Sequence, residues 1–322
     1  MKIIEIKNCD KDYKKKFPKF INNNISNINH EIILFGSKTG NQNFIIIEND
    51  ELLAIVPLNF ETREGKIFVG TFFDISIPGP IFAENLTLKK FKKILKLVIE
   101  EIDKKCIQNN ITEVKINFSD LIKFNTGSQE YLILLEILSK YGFINKSFIG
   151  SRIDLDKTND EIINNCSKGH KSEIKKQLKN NYILETYQDN ELGFDDFKIL
   201  IKDLVDIEDY CQPLYSLFLE KKIYLIYSSG TKKVFCSAFS IAGNTAEYFV
   251  STLSSANQHS LIISTIKHFK SVTKMKYIDF GIINYLENKT LSQSEKKKNI
   301  SMFKKGFGGE KYLLSIFKKK YS

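Results

Sequence analysis

Arginine is nearly missing from this sequence. Only Arg63 and Arg152 occur among 48 basic residues, and all the other cations are lysines. The planar guanidinium is the better group for gripping phosphates or bases bidentately. A net charge of +10 and a pI of about 9.1 therefore permit a phosphate-bearing small molecule and do not point to DNA. The five cysteines (Cys9, Cys106, Cys166, Cys211 and Cys236) form no C-x-x-C pair, and the four histidines show no H-x-x-x-H spacing. That excludes a disulfide framework and gives no expectation of a metal site. No stretch reaches the roughly 18 apolar residues of a membrane span. The first residues, Met1-Lys2-Ile3-Ile4-Glu5-Ile6-Lys7, lack the apolar block of a signal peptide. The expected location is the cytoplasm.

The chain is rich in apolar and aromatic residues: 42% hydrophobic, with 25 Phe and 14 Tyr. Its 322 residues suit two domains, each with its own core. Residues 44–47, 52–58 and 66–72 read as strands joined at Asn49-Asp50 and Glu64-Gly65. After Pro78-Gly79-Pro80 a helix is expected over Leu86–Gln108, with Asn85 as N-cap and Leu88, Phe91, Leu95, Val98 and Ile102 on one face. A strand at 114–118, a helix ended by Gly142 and a strand at 147–155 follow.

The same order then recurs. It comprises one helix over 159–180, a strand at 182–187 and helical stretches at 194–205 and 214–219. Three strands follow between 223 and 253, then a helix holding Ile262, Ile266 and Phe269, a strand at 277–280 and a last strand at 312–317. The expectation is two related α/β domains with mixed sheets, spanning 1–155 and 156–304, with 305–322 returning to the first.

Phe303-Lys304-Lys305-Gly306-Phe307-Gly308-Gly309-Glu310 places a lysine between aromatics and glycines. Such a setting can aim one fixed charge at a phosphate or a developing oxyanion. It is equally the end of a helix stopped by glycines, with lysines on its dipole. Gly36-Ser37-Lys38-Thr39-Gly40 lacks the spacing of a nucleotide-binding loop, although Lys38 could meet a phosphate as a point charge. Lys168, Lys171, Lys175 and Lys179 form one helical stripe, either a solvated face or a cradle for a diphosphate or a tRNA end.

His170 and Cys166, four apart, would make an unsupported nucleophile pair. Asp120 follows a strand, where α/β sheets meet ligands, and serves equally well as an N-cap. Asp279 interrupts an apolar strand. It is either a hydrogen-bond hub or a site residue, because a buried carboxylate needs partners.

An ordered set of segments resembles the Fem-type peptidoglycan-bridge aminoacyltransferases and their relatives in the GNAT superfamily. The set comprises Ile55-Val56-Pro57-Leu58, Pro78-Gly79-Pro80, Lys140-Tyr141-Gly142-Phe143, the basic helix Ser167 to Lys179, Glu247-Tyr248-Phe249, Tyr277 to Gly281 and the closing Phe303 to Glu310. The resemblance implies two tandem GNAT-like domains and transfer of an aminoacyl or acyl group to an amine, without a covalent enzyme intermediate. It makes Lys304 the charge that neutralises the oxyanion and Phe303 a pocket wall. Asp120 becomes a second catalytic candidate, and Lys171, Lys175, Lys38, Tyr248 and Asp279 become substrate-binding candidates. The donor would be aminoacyl-tRNA or acyl-CoA, with no tightly bound cofactor. The acceptor would be a UDP- or lipid-linked envelope precursor. The family's basic helix carries arginine where this chain has Lys171 and Lys175. The [QR]-x-x-G-x-[GA] turn with which GNAT enzymes hold a CoA pyrophosphate is absent, Gln258-His259-Ser260-Leu261 lacking both glycines. A non-catalytic binding module is the remaining reading.

Overall fold

The computed structural model describes residues 1–23, 42–58, 60–63, 66–69, 77–118, 128–179, 183–187, 219, 223–230, 233–242, 245–251, 258–272, 275–283 and 295–321. Lys38, Asp120 and the helical stretch read at 194–205 lie outside these residues. The chain forms two compact units, Met1–Ser147 with Leu313–Ser322, and Phe148–Tyr312.

In the first unit β1 (Lys2–Glu5), β2 (Phe44–Glu48), β3 (Glu51–Val56) and β7 (Ile81–Phe82) make one antiparallel sheet. Asn49 and Asp50 join β2 to β3 with both φ values positive, 50° and 60°. That turn matches the twist of the hairpin it closes. β4 (Phe60–Arg63) and β5 (Lys66–Val69) form a separate hairpin. A second sheet has the order β6 (Ile77–Pro78), β8 (Glu113–Asn117), β17 (Ile316–Lys320), β9 (Ile144–Asn145), with β6 and β8 parallel.

α1 (Lys11–Asn23) precedes β2, and α2 (Leu88–Gln108) and α3 (Gln129–Lys140) flank β8 in sequence. α2 buries Phe91, Ile94, Leu95, Val98, Ile99 and Ile102 in the core, each such side chain contributing about 1.5–3 kcal/mol. Its N-cap is Thr87, whose Oγ1 accepts the Lys90 N–H at 3.3 Å, and not Asn85, which sits in the preceding turn at φ 59°.

The second unit is built on a seven-stranded sheet. Its order is β11 (Ile183–Tyr187), β12 (Ile223–Gly230), β13 (Lys233–Ala242), β14 (Thr245–Ser251), β15 (Tyr277–Ile282), β10 (Phe148–Asp154), β16 (Glu310–Leu314). The helices are α4 (Asn159–Asn165), α5 (Lys168–Leu178), α6 (Gln258–Val272) and α7 (Glu295–Gly306). Ile153, Leu155, Ile262, Ile266, Phe269, Ile278, Phe280 and Phe307 share its core.

Three sequence readings change here. β10, read as closing the first half, pairs antiparallel with β15 because Ile153 packs in the second core. The helix read over 159–180 is two helices. Cys166 is extended at φ −66°, ψ 154°, and the Ser167 hydroxyl oxygen accepts the His170 N–H, starting a new helix. The last strand read at 312–317 is β16 and β17, separated by Ser315.

Candidate functional site

α6 carries the chain from β14 across to β15, so these two strands run parallel. They pair from Thr245 with Tyr277 to Glu247 with Asp279. Both continue past that point, β14 to Ser251 and β15 to Ile282. Tyr248 is the first residue beyond the pairing, and the Lys304 Nζ lies 5.8 Å from its ring centroid. The half-buried Asp279 is fully occupied. Its Oδ1 accepts the Gly281 N–H at 2.6 Å and its Oδ2 accepts the Tyr312 hydroxyl at 2.5 Å. Gly281 takes φ 64°, which suits a residue without a Cβ. Arg152 faces Asp279 across the β10–β15 pair, with its guanidinium 4.4 Å from the Tyr277 ring and 5.7 Å from that of Tyr312.

Two opposing shifts follow. Burial pushes the Asp279 carboxyl up, against the pull of Tyr312, Gly281, Lys304 and Arg152. Burial pulls the Lys304 ammonium down to about 8, against the Asp279 charge, which supports it. Lys304 is thus a poorly hydrated cation that is still mostly charged at neutral pH. A charge of that kind stabilises an oxyanion more than one in water does.

The glycines of this stretch serve packing. Gly308 turns at φ 67°, and a Cβ there would lie 1.9 Å from the Asn165 carbonyl oxygen. A Cβ on Gly309 would meet Ser151 Oγ at 2.5 Å, and one on Gly306 would meet the His170 ring at 2.0 Å. The close approach is therefore to the α4–α5 corner and to β10. Phe303 and Phe307 pack edge to face 5.1 Å apart, and Phe307 stacks on Phe280 at 5.4 Å and 10°. His170 and His259 complete this aromatic cluster, their rings 4.3 Å apart. Burial takes His259 down to about 4 and lowers His170.

Of the residues selected from the sequence, Lys304, Phe303, Tyr248 and Asp279 come together around the end of α7. Lys171 and Lys175 stand on α5, with neither side chain in an ion pair among the described residues. The Cys166–His170 pair is not a nucleophile. The Cys166 thiol is buried, donates to the Ile162 carbonyl oxygen at 3.4 Å, and is pushed up to about 11. Arg152 and Tyr312 were not selected, and His170 was weighed only as the partner of Cys166. Their roles depend on pairings across the sheet and between helices, and only the scarcity of arginine could have singled out Arg152. Among the described residues no group of three His, Cys, Asp or Glu side chains is placed to hold a metal ion. No helix there is long and apolar enough to cross a membrane.

No protein-family profile matches the chain, and no curated sequence does. Solved structures match it along its length. The crystal structure of FemX superposes with a TM-score of 0.65 at 14% identity, covering 100% of this chain and 98% of that one. L-PGS from Bacillus licheniformis gives 0.56 at 11% identity, covering 96% and 91%. A tandem GNAT protein from the clavulanic acid biosynthesis pathway gives 0.54 at 8% identity, covering 99% and 98%. At these identities the likeness is one of fold: a mixed α/β chain with two GNAT-like domains, as in the tandem GNAT protein.

Proposed function

We propose that this chain is an acyltransferase of the Fem/GNAT type, with Lys304 as the cation that stabilises the transition state. The attacking amine nitrogen forms a bond to the acyl carbon of an ester or thioester. The carbonyl π electrons move to oxygen, and Lys304 neutralises that oxyanion. Collapse breaks the bond from the acyl carbon to the tRNA oxygen or CoA sulfur, which takes the proton that the amine gives up and leaves as hydroxyl or thiol, and no acyl-enzyme forms. Asp279 keeps Lys304 charged, and Tyr248 and Phe303 shape the pocket. The observation that carries this reading is the half-buried Lys304 ammonium beside Tyr248 and Asp279, where the parallel strands stop pairing. The acceptor we propose is the amine of a UDP- or lipid-linked envelope precursor, its phosphates met by Lys171 and Lys175. Lys38 and Asp120 remain candidates for substrate binding and for acid catalysis.

The donor divides the proposal in two. Aminoacyl-tRNA fits the unpaired lysines of α5 and the missing pyrophosphate turn. Acyl-CoA is the donor if the lysines of α5 meet the phosphates of CoA. A thermal-shift screen with acyl-CoAs and with charged tRNA separates the two, and UDP-sugars in the same screen test the acceptor. The catalytic test is Lys304→Met, which keeps the stem and removes the charge. Turnover should fall on the order of a hundredfold or more, with the substrate's Kd changed less. The exposed Lys305, changed to Met, is the control. Full activity in Lys304→Met would reject the assignment and favour a binding module.

A further inference from the structure

We propose that His170 is a positioning residue: it fixes the peptide that carries Lys304 and ties it to α5, the helix bearing Lys171 and Lys175. This rests on the role given to Lys304 above. An α-helix ends with four carbonyls that have no partner within it. In α7 these belong to Phe303, Lys304, Lys305 and Gly306, and each is satisfied. Lys304 O accepts the Phe307 N–H at 3.3 Å, and Lys305 O accepts the Gly308 N–H at 3.1 Å. The other two are met by α5. The Ser167 N–H donates to Gly306 O at 2.8 Å, and His170 Nε2 lies 2.9 Å from Phe303 O.

A carbonyl can only accept, so Nε2 carries the proton. Nδ1 is then the acceptor for the Ser167 hydroxyl, 3.2 Å away. Neutral His170 is satisfied on both sides, in keeping with the burial that lowers its pKa. Phe303 O belongs to the peptide unit that leads into Lys304. Its direction therefore sets where the Lys304 side chain departs. Gly306 is required because any Cβ would strike the His170 ring. The positive end of the α5 dipole meets the negative end of α7, which adds a favourable field.

Such a tie does what a lone helix cap does not. It couples an anion on Lys171 or Lys175 to the placement of Lys304, through the first turn of α5. The groups facing Lys304 are Asp279 from β15 and Tyr248 from β14, with Arg152 of β10 and Tyr312 of β16 standing on Asp279. His259 of α6 and Phe303 and Phe307 of α7 face His170.

The test reads Lys304 directly, with no substrate present. Lysine labelled with ¹³C at Cε is followed by NMR across a pH titration, and Lys304→Met assigns the signal. His170→Phe keeps a ring of similar size and removes the donor. His170→Gln keeps a donor at the same reach. In His170→Phe the Lys304 midpoint should rise from about 8 toward 10.5 as the ammonium gains water, and His170→Gln should bring it back. Once a substrate is in hand, His170→Phe should lower kcat with KM nearly unchanged, and His170→Gln should rescue it. A folded His170→Phe with an unmoved Lys304 midpoint overturns the proposal. If His170→Phe does not fold, Ser167→Ala decides. It frees Nδ1 and should move the midpoint in the same direction by less, and no movement overturns the tie. Full turnover in Lys304→Met would reject the catalytic reading of Lys304 and leave the tie to be judged by its midpoint alone.

Discussion

Each unit holds a parallel strand pair with a helix in the crossover, and the two pairs differ in what happens at their ends. In the first unit β6 and β8 pair at Ile77–Ile116 and Pro78–Asn117. The chain then stays in contact, the Gly79 N–H donating to Asn117 O at 2.6 Å. Phe118, fully buried, closes the end edge-on to Phe317 at 5.8 Å. In the second unit β14 and β15 stop pairing at Glu247 and Asp279, and the next positions are occupied by Tyr248, Lys304 and Asp279 with its hydroxyl and amide partners. The same topology gives packed core in one unit and a half-buried charged cluster in the other. Function therefore follows the side chains delivered to the pair and not the fold itself.

The lysines divide the same way. In the first unit Glu136 is clamped by Lys92 at 2.9 Å and Lys140 at 2.6 Å, and Lys90, Lys318 and Lys319 each have an acid. On α5, Lys168, Lys171, Lys175 and Lys176 have none among the described residues, nor has Lys179, which caps it.

The largest effect expected from this contrast is at two glycines with similar backbone angles. Gly142 ends α3 at φ 78°, and a Cβ there meets only Lys319 Cε at 4.0 Å. Gly142→Ala should cost about 1 kcal/mol, from the left-handed backbone alone. Gly308→Ala adds a collision with the Asn165 backbone and should cost about 4 kcal/mol or more. Denaturant midpoints measure both. Equal costs would mean that the corner of α4 and α5 yields, and that the fit around α7 is loose.

The next effect is on binding. Changing Lys171 and Lys175 together to Glu should weaken phosphate-bearing substrates by about tenfold or more at low salt, and less at high salt. Stability should hardly move, because exposed charges contribute little to folding. Changing Lys92 and Lys140 to Gln should leave that affinity alone. Isothermal titration with UDP-sugars and acyl-CoAs distinguishes the pairs, and equal losses would make the α5 stripe a general surface charge.

Much of this was legible in the sequence, for definite reasons. The face of α2 announced itself because Phe91, Leu95, Val98 and Ile102 recur at helical spacing. Asn49-Asp50 and Gly142 were readable because their backbone angles suit few other residues. The ordered segments ending in Phe303 to Glu310 pointed to the fold class, and Lys304, Tyr248 and Asp279 are chosen residues that lie together at the end of α7. The break at Cys166-Ser167 was hidden, since every residue from 159 to 178 tolerates a helix and the corner is set by contact with α7. The glycine role was half legible. A helix stop was expected, whereas the neighbours that demand Gly306 and Gly308 lie about 140 residues earlier in the chain. Strand β10 changed units because Ile153 and Leu155 carry no mark of which core they join.

The smallest effect separates the units by pH. In the first unit the lysine hydrogen bonds hold Glu136 down at about 2, from an ordinary 4.5. A depressed carboxylate contributes stability above pH 4.5, and loses it as pH falls toward 2. In the second unit burial brings Lys304 from an ordinary 10.5 to about 8. Between these values the unfolded chain binds a proton that the folded chain has released, so stability gains from Lys304 as pH rises from 8 to 10.5. The limiting slope is about 1.4 kcal/mol per pH unit. Unfolding free energies of the parent and of Lys304→Met, measured across pH 7 to 10.5, isolate Lys304 together with its coupling to Asp279, because groups that do not interact with Lys304 cancel in the difference. The difference should be flat near pH 7 and climb above 8, while Glu136→Gln should differ from the parent at neutral pH and converge with it only in acid. A flat difference throughout would make Lys304 an ordinary hydrated lysine, and the second strand pair would then hold no poorly hydrated charge to set against the packed end of the first.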